Sequence, residues 1–269
     1  MPKLKIDDTF EMHYDTYDFT DPWKDAECLV LVHGNTRNST IWNWYVPRFA
    51  AHYRVVTLDW RGHGQSAPPA GFKPNLTTYA SDIKALLDHL ELETVHYVSE
   101  ATGSIIGCQF AVDFPGRLKS LTMTGPGPAN GSVIEKFSTD QVQLIEKGGM
   151  IAWTRQHAED FLGKDTVDPD MFEWYVREMA NEPAEWDSAV KRWLYPNYDI
   201  RPMLPQVEVP ALLQIGENTA LGLETYREMA GLMPDCELMV YRGGPHYTFV
   251  SHREETLEAT LHFVGRVSR

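Results

Sequence analysis

Short unbroken apolar runs alternate with amphipathic stretches at both ends of this chain, while its middle carries amphipathic stretches alone. Residues 28–32, 53–58 and 96–98 are almost wholly apolar, the pattern of strands buried on both faces. Residues 118–124, 210–215 and 237–241 read as three more strands, and 3–14 alternates weakly, which suits an edge hairpin. Between them, residues 76–90 place Ile83, Leu86, Leu87 and Leu90 on one face at helical spacing. Helices are also expected at 105–114, 223–233 and 254–267, and 41–49 is partly helical in its spacing.

Strands alternating with helices predict an α/β fold: a mostly parallel central sheet flanked by helices on both faces. From about residue 130 to 206 strand-like runs vanish. Trp153, Phe161, Phe172, Trp174, Tyr175, Trp186 and Trp193 all fall there. Residues 130–206 are therefore expected to form an inserted helical unit, with 1–129 and 207–269 making the sheet core. No internal repeat or low-complexity segment is visible.

Composition narrows the function classes. The 269 residues carry a formal charge of −14, which argues against a nucleic-acid partner, since phosphate binding needs a basic face. No run of apolar residues is long enough to span a membrane. The charged N-terminus has no apolar core of the signal-peptide kind, and Cys28, Cys108 and Cys236 are widely spaced with no CxxC. The expected setting is thus cytoplasmic, with three buried thiols. No His/Cys/Asp cluster has metal-ligand spacing, and no GxGxxG follows a strand. No cofactor is expected, and a small-molecule substrate is.

The most informative stretch is 95–104, Val-His-Tyr-Val-Ser-Glu-Ala-Thr-Gly-Ser. A strand enters a turn of small residues and a helix follows at once, the setting of a nucleophile elbow, G-x-S-x-G. Ser99 and Gly103 stand at the two glycine positions, and Ala101 stands where the attacking atom belongs. Three further landmarks occur in order: His33-Gly34 after the first long strand, Asp59-Trp60-Arg61-Gly62-His63-Gly64-Gln65-Ser66, and Gly244-Pro245-His246 near the end. With these four landmarks the chain resembles the α/β-hydrolase fold family over nearly its whole length outside the insertion. The elbow also resembles Val-Ser-His-Ser-His-Gly of cofactor-free dioxygenases on the same fold.

The resemblance implies an eight-stranded sheet with a helical cap over the strand ends. It puts Ala101 at the nucleophile position and His246 at the base position. It implies an oxyanion hole from the backbone N–H groups of Asn35 and Thr102, and cap aromatics such as Trp153 and Trp186 walling the substrate pocket. Family members place an acid after the strand at 210–215. Here the sequence reads Gly216-Glu217-Asn218-Thr219, with Asn218 or Thr219 nearest the acid's place; Glu217, the nearest carboxylate, is the expected acid, with Asn218 and Glu224 as alternatives. His63 is expected to brace a loop, and Glu100 to be solvated, ion-paired or turned into the pocket. Alanine at 101 leaves three readings open. The chain is a serine-type hydrolase of a small, fairly apolar ester or lactone, inactivated at the elbow. Or it runs nucleophile-free chemistry, dioxygenase- or lyase-like, from His246. Or it binds a ligand without turning it over.

Overall fold

The computed structural model describes residues 2–127, 132–163 and 165–268. Its strands are β1 (Lys3–Asp7), β2 (Phe10–Tyr17), β3 (Cys28–Val32), β4 (Arg54–Leu58), β5 (Val95–Glu100), β6 (Leu118–Thr124), β7 (Ala211–Gly216) and β8 (Cys236–Tyr241). They form one eight-stranded sheet in the order β1-β2-β4-β3-β5-β6-β7-β8. The hairpin β1–β2 is antiparallel and joins β4 antiparallel. Every later pairing is parallel. The expected α/β fold and strand count are both present.

Strands β3, β5 and β7 are buried at every position, which is why they read as continuous apolar runs. One face of the sheet packs on α2 (Leu76–His89), α3 (Thr102–Asp113) and α7 (Leu223–Leu232). The other packs on α1 (Val46–Phe49), α8 (Thr248–Ser251) and α9 (Arg253–Val267). Helix α3 is buried nearly all round, as befits a helix under the centre of a sheet. Of the three cysteines, Cys28 and Cys108 are buried and Cys236 is half-buried, a departure from the expectation of three buried thiols.

Between β6 and β7 the chain is helical: α4 (Ser132–Phe161), α5 (Pro169–Ala180) and α6 (Ala184–Ala189), followed by short irregular turns. Gly149, at φ 71° and ψ 178°, breaks α4 into two helical segments; a residue with a Cβ would be strained there. The boundary expected at 129/130 lies outside the described residues. Among the described residues no helix is long and apolar enough to cross a membrane.

The strand order fixes where a site can form. From β3 the chain turns to β4 on one side, then crosses to β5 on the other. The carboxyl ends of β3 and β5 therefore flank the switch point, where ligands of such sheets bind.

Candidate active site

Ala101 links β5 to α3 with φ 45° and ψ −117°, a left-handed conformation that costs an alanine about 1–3 kcal/mol. Its surroundings hold it there. The Ala101 N–H donates to Thr124 O at 2.8 Å. Ser99 Oγ donates to Thr122 O at 3.0 Å on the neighbouring strand. At Gly103 a Cβ would strike the backbone carbonyls of Val32 and His33, so only glycine lets α3 approach the end of β3. The strained turn is thus built by the small residues that predicted it.

Asn35 and Thr102, whose backbone N–H groups are the expected oxyanion donors, both line the cavity beside Ala101. Neither the Thr102 N–H, at the first turn of α3, nor the Asn35 N–H has an acceptor among the described residues. The Asn35 side chain is pinned from two sides: His63 Nε2 is 2.9 Å from Asn35 Oδ1, and Asn35 Nδ2 donates to Asp187 at 2.9 Å. His63 therefore braces this loop, as expected. Glu100 is neither solvated nor turned into the pocket. It is wholly buried, accepts the Gly34 N–H and lies 3.5 Å from Arg37. Burial raises its pKa, against the opposing pull of Arg37 and the Gly34 N–H.

His246 lies on the loop after β8, buried against Phe161 and Tyr247. Its Nδ1 is 2.8 Å from Thr219 Oγ1. The expected acid is not its partner. Glu217 points outward and accepts the Gly243 N–H at 2.9 Å. Asn218 donates to Gly243 O, and the exposed Glu224 pairs with Arg227. The cause is the tight turn after β7: the Thr219 N–H donates to Gly216 O, which sends side chain 217 to solvent and side chain 219 inward. In the Nδ1–H tautomer, which donates to Thr219 Oγ1, the imidazole lone pair is on Nε2. Gly125, at φ 59°, leaves that side open, since a Cβ there would stand 3.2 Å from Nε2. Burial first, and the Arg37 charge second, push His246 down to about 3. The ring is neutral at neutral pH, with no carboxylate to raise it.

Ala101, Thr102, Asn35 and His246 all open on one cavity of about 130 Å³. Trp153 lines it, stacked in a row with His157 and Phe161 at ring separations of 4.8 and 4.5 Å. Trp186 does not. It is half-buried and packs beside Gly62, because α6 turns its Asp187 face, not its Trp186 face, toward the core. Two side chains that sequence reasoning missed also line the cavity. Arg37 sits 4.3 Å above the Tyr247 ring, and Lys191 sits 4.0 Å above Trp153 and bonds to Asp187. Lys191 lies far in sequence from every motif, and Arg37, though close after His33-Gly34, carries no spacing signal that tells which way its side chain turns. No three His, Cys, Asp or Glu side chains converge to hold a metal among the described residues.

Comparison with known proteins agrees with this architecture. A family model described as "alpha/beta hydrolase fold" matches residues 27–253. The putative carbamate hydrolase RutD of Yersinia enterocolitica is 25% identical over 238 residues, covering 86% of this chain and 84% of that protein. The pimeloyl-[acyl-carrier protein] methyl ester esterase of Aeromonas hydrophila is 26% identical over 245 residues, 88% of this chain and 95% of its own. The crystal structure of the enol-lactonase from Burkholderia xenovorans LB400 superposes with a TM-score of 0.88 at 19% identity, over 98% of this chain and all of that one.

Proposed function

This chain belongs to the alpha/beta hydrolase fold family, and we propose that within it the chain hydrolyses a small carbonyl substrate by direct attack of water, with no covalent intermediate. The observation that carries the proposal is the Thr219–His246 contact. A serine hydrolase silenced by one substitution would keep its acid. Here Ala101 stands at the nucleophile position and Thr219 at the acid position, and the base and both oxyanion donors remain. Its relatives are hydrolases, and general-base hydrolysis keeps that reaction with the groups present.

The step balances without a nucleophile at 101. His246 Nε2 takes a proton from water as the water oxygen bonds to the carbonyl carbon. The C=O electron pair moves to oxygen, and the Asn35 and Thr102 N–H groups stabilise it. The tetrahedral species collapses, and the leaving group takes the proton back from His246. Alanine at 101 leaves room where a serine hydroxyl would stand, beside both donors.

The test is turnover of a panel of small esters and lactones by the chain and by His246→Ala. The substitution is expected to cost about 10²–10⁴-fold, the range for a general base. The protein quenched during turnover should carry no added acyl mass, because no acyl group forms on it. Retained activity in His246→Ala would contradict the proposal, as would a covalent adduct in the mass of the quenched protein.

A further inference from the structure

The cavity wall carries two cations and, among the described residues, no carboxylate. Their counter-charges, Asp187 and Glu100, are also buried but stand behind them, so the wall presents the positive ends of two ion pairs. Both cations are buried, and each is held in place from behind. Asp187 accepts from Asn35, Thr36 and Lys191 together. Arg37 donates from Nε to Tyr175 Oη at 3.0 Å and from an Nη to Asn35 O at 3.1 Å. Glu100, its charge partner, lies outside the cavity wall.

Resting on the reading above, we propose that this cavity selects a small planar carboxylate, an aromatic or conjugated acid whose charge is met by Lys191 and Arg37. An unpaired carboxylate is costly to bury, and two preplaced cations, each already balanced by a carboxylate outside the wall, offset part of that cost through charge-assisted hydrogen bonds. The cavity's size agrees: about 130 Å³ here, close to the about 150 Å³ of an apolar cavity that accepts a benzene ring. One side of its wall is aromatic, formed by the stacked row of Trp153, His157 and Phe161. An anion beside Arg37 also offsets one of the two causes that hold His246 down, so substrate binding makes the base stronger.

Calorimetric titration of the full chain with benzoate and with its neutral isostere benzamide tests this without any turnover. Its failure would therefore leave the water-attack proposal standing, and the reverse. Benzoate is expected to bind about tenfold tighter or better, equivalent to about 1.4 kcal/mol. In the double variant Lys191→Met/Asp187→Asn, which removes both charges together, that preference is expected to fall at least roughly threefold. Equal binding of the two probes, no benzoate binding at millimolar concentration, or an unchanged preference in the folded double variant would each overturn the proposal. The wild-type comparison decides alone if the variant does not fold.

Discussion

At the scale of single residues, the backbone of the elbow and the side chain of His246 stand where the family's pattern expects them, while the side chains at 101 and 219 depart from that pattern. The elbow strain at Ala101, the free N–H groups of Asn35 and Thr102, and the close approach at Gly103 are backbone features. The nucleophile and acid positions hold Ala101 and Thr219. The sequence made the first departure plain, because a short motif exposes any change in it. The second was concealed, because three consecutive side chains after β7 could each have turned inward, and only the turn geometry selects Thr219. Glu100 belongs to this scale too. It holds the Gly34 N–H behind the oxyanion loop and balances Arg37. Glu100→Ala is expected to cost about 3–5 kcal/mol of stability, the usual effect of breaking a buried pair from one side. Glu100→Gln, which keeps an acceptor for Gly34, should recover part of it. Urea unfolding of the two variants checks this, and equal losses would show that the Gly34 contact contributes nothing.

At the scale of elements, periodicity was enough for the core. Every predicted strand and helix of the sheet core is present with ends within a few residues, since buried parallel strands are unbroken apolar runs. The expected helix at 105–114 begins at Thr102, because the elbow turn feeds it directly. Contacts between the inserted helices and the core were not legible. Asp187 of α6 meets Asn35 and Thr36, and Glu182, just after α5, accepts from Gly64 N and Asn38 Nδ2 at 2.9 and 2.7 Å. His157 of α4 meets Tyr247 at 2.7 Å. These pairs join residues 90 to 152 positions apart, beyond the reach of any spacing rule. The same contacts deliver Lys191 and Trp153 to the cavity, and they leave Trp186 outside it.

At the scale of the whole molecule, five histidines whose pKa desolvation lowers, His33, His63, His96, His157 and His246, set the response to acid. Burial pushes His33 down to about 4 and His246 to about 3, and holds His63 and His157 well below their ordinary value. Each folded-state pKa lies below the unfolded value near 6.5. The folded chain therefore binds fewer of these protons, and the stability so gained is complete above about pH 6.5 and lost as the pH falls toward 4 and 3. Glu182 acts in the opposite sense. Burial raises it to about 7, so its contribution is present below its ordinary value near 4.5 and is lost as the pH rises through 7. The five histidines outweigh the carboxyls of Glu182, Glu100 and Asp82, which burial raises, and the melting temperature is expected to fall between pH 6 and pH 4. A flat profile across that window would contradict the burial of the histidines.

The central claim is that this site works without a nucleophile at 101, and the rate of Ala101→Ser on the ester and lactone panel tests it most directly. In a serine protease, removing the whole triad costs about 2 × 10⁶ in turnover and removing its acid alone about 3 × 10⁴. A serine paired with a histidine that lacks its carboxylate should therefore gain no more than about 10²-fold over a site with no triad. Ala101→Ser is expected to stay within that limit, and Ala101→Ser/Thr219→Asp to exceed it and to accumulate an acyl-protein. A gain of about 10⁵-fold or more from Ala101→Ser alone, near the full worth of a triad, would show a silenced serine hydrolase and contradict the account.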